Sequence, residues 1–183
     1  MPARWKEARV AGVISPELQD LERRYRDKVR FHAWFLQIER LNREGIPGAF
    51  AELGVYQGES AGILHRMDPL RPLHLFDTFS GFPASDLVGE TGEAATYTTN
   101  NFADTDMQKV AERIGSSNLV RFHPGYFPES AAGFNEPLAL VNIDVDLYLP
   151  TKAGLDFFYR QLSPGGVIFV HDYHQKWPGI IRA

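Results

Sequence analysis

The sequence predicts an α/β fold: a doubly wound, mainly parallel sheet with helices on both faces, preceded by an N-terminal helix. Three observations carry this. Apolar runs of strand length alternate with stretches of helical period from residue 50 to residue 170. The run 138–144, Leu-Ala-Leu-Val-Asn-Ile-Asp, is apolar almost throughout, as a central parallel strand covered on both faces must be. Acids stand at the carboxyl ends of four of the five expected strands, as Glu52, Asp77, Asp144 and the pair His171-Asp172. Open parallel sheets place their ligands at that edge.

The chain has 183 residues, enough for one domain with a real core, divided into a helical segment 1–48 and a core 49–183. Hydrophobic residues make up 44% and charged residues 23%, as in a water-soluble globular protein. A net charge of -4 and the lack of a basic patch argue against nucleic acid as a partner. There is no cysteine, hence no disulfide and no thiolate metal site. No stretch has the length of a signal peptide or a membrane span, so the expected location is cytoplasmic, with no membrane partner.

Taken in order, residues 1–14 have no clear period and read as a flexible lead-in. Ser15-Pro16 then opens a long amphipathic helix, broken once at most, that ends at Gly45-Ile46-Pro47-Gly48. Its charged run from Arg23 to Arg30 reads as a solvated face, while Trp34 and Phe35 would cover a sheet face or a partner subunit. His32 reads as a residue at the core edge. The first strand is expected over 50–55 and its helix over 60–67, closed by Asp68-Pro69 and Arg71-Pro72. The second strand covers 73–77. Residues 84–101 lack periodicity and read as a mobile lid. A helix over 106–113, capped by Asp104 or Thr105, leads to a third strand over 119–123. After the strand 138–144, a helix starts at Pro150 or Thr151 and stops at Pro164-Gly165-Gly166, and the last strand covers 167–170.

The stretch Glu52-Leu53-Gly54-Val55-Tyr56-Gln57-Gly58-Glu59-Ser60 turns a buried strand into a helix through two glycines. Gly54 permits a sharp turn, and Gly58 permits a ligand to approach the backbone at a helix N-terminus. A pyrophosphate there would be repelled by Glu52, whereas the ammonium and sulfonium of S-adenosylmethionine would be attracted. A tight connection with a solvated Glu52 is the alternative. Asp77 ends the second strand where an acid can accept the hydroxyls of a ribose, or else cap a turn with Thr78 and Ser80. Gly125, Tyr126 and Phe127 follow the third strand, where the aromatics would edge an adenine ring or simply cover core. Asp144, Asp146 and Asp172 would repel one another across adjacent strands unless a cation lies between them. Oxygen ligands favour Mg²⁺ or Ca²⁺, and a coordinating His171 shifts the preference toward Mn²⁺, Fe²⁺ or Zn²⁺. Carboxylates with raised pKa values are the metal-free alternative.

Five stretches in this order carry a family resemblance: residues 51–60, 76–83 (Phe-Asp-Thr-Phe-Ser-Gly-Phe-Pro), 122–127 (Phe-His-Pro-Gly-Tyr-Phe), 142–151 (Asn-Ile-Asp-Val-Asp-Leu-Tyr-Leu-Pro-Thr) and 162–173 (Leu-Ser-Pro-Gly-Gly-Val-Ile-Phe-Val-His-Asp-Tyr). Together they resemble the macrocin O-methyltransferases, Rossmann-like class I enzymes that use S-adenosylmethionine and a metal to methylate hydroxyls of sugars and related small molecules. The resemblance places Glu52, Gly54, Gly58 and Ser60 around the methionine part of the cofactor and Asp77 on its ribose; Tyr56, Thr78, Gly125 and Phe127 complete the expected cofactor set. It implies a metal on Asp144 and Asp172, with Asp146 as general base. His171 stands where the family has a second acid, so the expected metal set is Asp144, His171 and Asp172, holding Mg²⁺ first and Mn²⁺ second. His171 and His174 are the alternative bases. A class I methyltransferase continues beyond the fifth strand with a helix and a closing hairpin, so the sequence ending at Ala183 reads as a truncated core without that C-terminal hairpin. Two other functions stay open: a cofactor-binding or oligomerising scaffold without catalysis, joined through the N-terminal helix, and a nicotinamide-dependent oxidoreductase, which suits the Gly58-to-Asp77 spacing but not Glu52.

Overall fold

A computed structural model describes residues 1–115 and 117–183. Five parallel strands, β1 (Ala49–Leu53), β2 (Leu73–Asp77), β3 (Val120–Pro124), β4 (Leu138–Ile143) and β5 (Leu162–Val170), form one sheet in the order β3-β2-β1-β4-β5. The chain builds outward from β1 to β3, then crosses back to lay β4 on the other side of β1. Strand order therefore reverses between β1 and β4, and a crevice opens above their carboxyl ends.

Helices cover both faces. On one face lie α1 (Ala3–Val10), α2 (Pro16–Arg24), α3 (Lys28–Arg43), α4 (Glu59–Met67) and α5 (Met107–Ile114), whose apolar side chains meet Phe50, Leu73, Leu75 and Leu140. On the other, α6 (Tyr148–Gln161) packs Phe158 against Leu53, Phe76, Val141 and Ile143, and α7 (Pro178–Arg182) follows β5. Strand alternation assigns the faces: Leu73 and Leu75 point to one, Phe76 to the other. Both cores are large, with Trp5, Trp34, Phe31, Phe50, Phe76 and Phe158 fully buried. Among the described residues, no helix is long and apolar enough to cross a membrane.

Two expectations are corrected here and one is sharpened. The lead-in is the helix α1, held by Trp5, which is 1% exposed and packs edge-on against Phe31 and Phe35. One anchor in eight residues leaves no period to detect. The one break allowed in the long N-terminal helix is present, because Tyr25 leaves the helical conformation and the Asp27 carboxylate accepts from Arg30 N at 2.9 Å, which starts α3 afresh. Helix α5 is capped by Asp106, which accepts from Lys109 N at 2.9 Å; Asp104 and Thr105 instead bond to the turn after β1. Trp34 and Phe35 are buried in the chain's own core. The stretch 84–101 contains one 3-10 turn, Gly92–Thr96.

Candidate cofactor cavity and acidic cluster

The crevice above β1 and β4 is a cavity whose walls come from four strand ends and the long loop after β2. Gly54, Val55, Tyr56, Gln57 and Ser60 line it from the β1 turn; Asp77 and Thr78 from β2; Gly125, Tyr126 and Phe127 from β3; Asp144 and Asp146 from β4. The loop closes it with Phe82, Pro83, Asp86 and Phe102.

The two glycines of the turn have different reasons. At Gly54, φ is +86° and a Cβ would stand 1.9 Å from the backbone oxygen of Asp144, so only glycine lets the β1 turn pass the end of β4. Gly58 (φ +77°) precedes α4 in the left-handed conformation, and its missing Cβ faces Val110 of α5 at 2.6 Å. The expectation that Gly58 makes room for a ligand is thus corrected to helix packing. Glu52 is likewise displaced from the cavity wall. It is fully buried beneath it, accepting a hydrogen bond from Asn142 Nδ2 at 2.7 Å, with Oε2 left without a partner. Burial pushes its carboxyl up to about 7, against the opposing pull of Ser60, Arg30 and Asn142.

Asp77 organises the turn. Oδ2 accepts from the backbone N–H groups of Val55 (2.6 Å) and Tyr56 (2.9 Å), and Oδ1 from that of Phe79 (2.7 Å). These bonds use three of a carboxylate's roughly four lone-pair sites, so the cap and ligand readings coexist with room for one further donor. Tyr56, at φ +50°, bonds through its hydroxyl to Asp104, which ties the β1 turn to the loop before α5. Thr78 Oγ1 donates to Gly81 O at 2.8 Å and sets the exit of the loop, and Gly125 N donates to Asp77 O at 2.9 Å.

The acids at β4 and β5 do converge. One ligand atom from each of Asp144, Asp146, His171 and Asp172 lies within 4.8 Å of the others. His171 Nδ1 sits 3.0 Å from Asp144 Oδ1 and 3.1 Å from Asp172 Oδ1, yet it is buried and makes no well-directed hydrogen bond to either. Burial works against the imidazolium, but the two carboxylates outweigh it and raise His171 to about 10. Burial likewise opposes ionisation of Asp144, and the His171 ring and Arg30 guanidinium overcome it, holding that carboxyl below its ordinary range. Asp146 is pushed well above the carboxylate range by burial first, and then by the neighbouring carboxyls of Asp172 and Asp144. Asp146 (φ +58°) and Asp172 (φ +54°) both hold a left-handed backbone conformation that non-glycine residues avoid. Asp144, Asp146 and Asp172 offer oxygen donors that fit a hard divalent cation, and His171 can join them only by giving up the ring proton that Asp144 and Asp172 hold in the cation's absence.

His174 is not part of the cluster. Its exposed ring accepts a bond from Lys176 N at 3.2 Å and serves the local turn, which corrects its candidacy as a base. Three residues went unnoticed in the sequence. Arg30, read as part of a solvated charge run, is buried apart from 12% of its side chain and pairs with Asp144 Oδ2 at 2.8 Å, stacked on Trp34. Asp86 and Glu90 lie in the aperiodic loop. Asp86 is buried beside the cavity, and Glu90 Oε1 accepts from Tyr148 N at 2.6 Å, capping α6. No pattern marks an acid as a cap for a distant helix; Arg30 alone left a trace, as a cation sharing a helix with buried aromatics.

Known proteins resemble the chain in sequence and in fold. The chain is 33% identical over 151 residues to mycinamicin III 3''-O-methyltransferase of Micromonospora griseorubida, covering 74% of this chain and 59% of that protein. It is 30% identical over 148 residues to an 8-demethyl-8-(2,3-dimethoxy-alpha-L-rhamnosyl)-tetracenomycin-C 4'-O-methyltransferase of Streptomyces olivaceus, covering 74% of this chain and 57% of that protein. It thus spans less than three-fifths of the length of these curated relatives. Among solved structures, the O-methyltransferase NovP superposes with a TM-score of 0.74 at 24% identity, covering 85% of this chain and 69% of that one, which establishes the shared fold. The model of the macrocin-O-methyltransferase (TylF) family matches residues 26–183, from the end of α2 through α7, and the chain belongs to that family.

Proposed function

We propose that this chain carries the catalytic core of an S-adenosylmethionine-dependent, metal-assisted O-methyltransferase acting on a hydroxyl of a sugar or another small natural-product-like molecule. The observation that carries the reading is the continuity of one cavity from the Gly54–Ser60 turn and Asp77 to Asp144 and Asp146. Such a cavity presents carboxylates and no cationic anchor for a pyrophosphate, which favours a cationic cofactor over a dinucleotide. The relatives named for 3''-O and 4'-O positions, one of them on a rhamnosyl compound, support a sugar hydroxyl as the acceptor.

In this reading the methionine part lies along the β1 turn, with Glu52 acting from beneath, and a ribose hydroxyl donates to the remaining lone pair of Asp77. Thr78, Gly125 and Phe127 bound the nucleoside. Asp144, Asp172 and His171 hold Mg²⁺ or Mn²⁺. When bound, such a cation supplies charge that lowers the pKa of an acceptor hydroxyl. Asp146 receives the hydroxyl proton, standing on the cavity wall beside Asp144. Arg30 keeps Asp144 ionised and in place. Holding acceptor oxygen and sulfonium methyl in line supplies most of the remaining rate.

The test has two measurements. Calorimetry with S-adenosylhomocysteine should give saturable one-to-one binding. Methyl transfer to a panel of glycosides should require a divalent cation, and full turnover in EDTA would remove the metal from the reading. Binding without turnover on any hydroxyl would favour the non-catalytic scaffold.

A further inference from the structure

The cavity has a second carboxylate end that the acid cluster does not explain. Asp86 lies in the loop after β2, which ends at Asp77, yet it is only 2% exposed and lines the cavity. It is a polar group taken out of water, and such groups need partners. One oxygen has them: Tyr126 donates its hydroxyl to Oδ1 at 2.8 Å, and Ser85 Oγ lies 3.2 Å from the same atom. Among the described residues, no hydrogen bond reaches Oδ2.

Asp86 is also held in place. Its own N–H donates to Pro83 O at 3.1 Å, Tyr126 grips it from the end of β3, and four residues on Glu90 anchors the loop to the N-terminus of α6. Phe82, Pro83, Phe102 and Phe127 provide apolar walls nearby. A carboxyl group on a fixed support, lining a space with aromatic walls, suits a flat ring that carries a hydrogen-bond donor on its edge.

The sheet tells which end of a ligand comes here. Crossing the carboxyl edge from β5 to β3, the cavity passes the Asp144 cluster, the β1 turn, Asp77 and then the Gly125–Phe127 turn that bears Tyr126. A nucleoside whose ribose meets Asp77, with its reacting end toward Asp144, directs its base toward Tyr126 and Asp86. We infer that Asp86 is the base-specificity residue of this site, its free carboxylate oxygen accepting the 6-amino group of an adenine ring while Tyr126 fixes the other oxygen. The inference rests on the cofactor reading above. A 6-oxo purine would turn an acceptor toward the carboxylate and be rejected, because two acceptors would then face each other out of water.

The experiment compares S-adenosylhomocysteine with S-inosylhomocysteine, its 6-oxo counterpart, by calorimetry on the intact chain. The expected wild-type preference for the adenine form is about 10- to 100-fold. Asp86→Asn, whose amide can either accept or donate, should bring that ratio close to one, with an unchanged melting transition confirming the fold. A residue that merely props the loop would weaken both ligands together and leave the ratio intact, which would overturn the assignment. Equal wild-type affinities would overturn it without any variant, while leaving the cofactor reading standing. Failure of wild type to bind either nucleoside would overturn both.

Discussion

The molecule holds two clusters of histidine and acid, and they have opposite characters. Beside β2 and β3, His74 Nδ1 and His123 Nε2 share a hydrogen bond at 2.9 Å, His74 Nε2 meets Glu136 Oε2 at 3.2 Å, and Arg121 pairs with Glu136 at 2.7 Å. Phe76 stacks on His123 with centroids 4.3 Å apart, and Phe134 meets His74 edge-on. His74 has a partner at both ring nitrogens and His123 at Nε2, and none of these residues takes a left-handed backbone conformation. At β4 and β5 the same residue types crowd like charges together, leave His171 Nδ1 poorly bonded and hold two aspartates in left-handed conformations. Residue type therefore does not identify a site. Unmet bonding capacity, strain and an opening onto a cavity do so, because a fold keeps them only where something else compensates.

The sharpest way to break this comparison is to remove one acid from the strained cluster. Asp144→Ala should lower methyl transfer by at least about a hundredfold, measured with radiolabelled S-adenosylmethionine, while S-adenosylhomocysteine binding by calorimetry stays within a few-fold of wild type. Retained turnover would make the two clusters equivalent. The matching change in the satisfied cluster, His74→Ala, should do the reverse. It should cost about 2–3 kcal/mol of unfolding free energy in urea, from a cavity and lost hydrogen bonds, and leave turnover per folded molecule unchanged.

The satisfied cluster should also set part of the acid sensitivity. Burial lowers the pKa of both His74 and His123, with Glu136 opposing the shift. The unfolded chain takes up protons near pH 6.5 while these folded rings stay neutral, so stability is fully present above that pH and is lost as pH falls toward the folded values. The slope is at most about 1.4 kcal/mol per pH unit for each proton. His32 and His65 are lowered in the same direction by burial, so His74→Leu should flatten the urea-midpoint profile below pH 6.5 only in part. An unchanged slope would mean the pair is not buried neutral. The smallest effect concerns the loop that closes the cavity. Glu90→Ala removes the carboxylate that caps α6 and should cost about 1 kcal/mol, read as a lowered urea midpoint; no change would show the loop is not anchored there.

Much of this was legible in the chain itself, and the exceptions share a cause. Periodicity located all five strands to within a few residues; β2 agrees at both ends, and β5 begins five residues earlier than expected. Glycine turns and strand-end acids located the cavity's floor. Hidden from the sequence were contacts whose partners are far away along it: Arg30 on Asp144, Tyr126 on Asp86, Glu90 on the first turn of α6. Single polar residues in a charged run or an aperiodic loop carry no repeating signal, so pattern reading assigns them to solvent. Gly58 was misread for a related reason, since the group that needs its missing Cβ, Val110, lies on another helix.

What the sequence determined by itself was therefore local: which stretches are strands and helices, where they turn, and which acids stand at strand ends. Hydrophobic period and backbone preference act over a few residues, and both can be read from one chain. Only the tertiary structure decided that β4 returns beside β1, and that return brings Asp144 to the Gly54 turn and draws Asp144, Asp146, His171 and Asp172 within reach of one another. It decided, too, that of two histidine–acid clusters one is satisfied and one is not. Whether a buried polar atom finds a partner depends on the geometry of elements that meet in space, and a linear pattern does not encode that geometry.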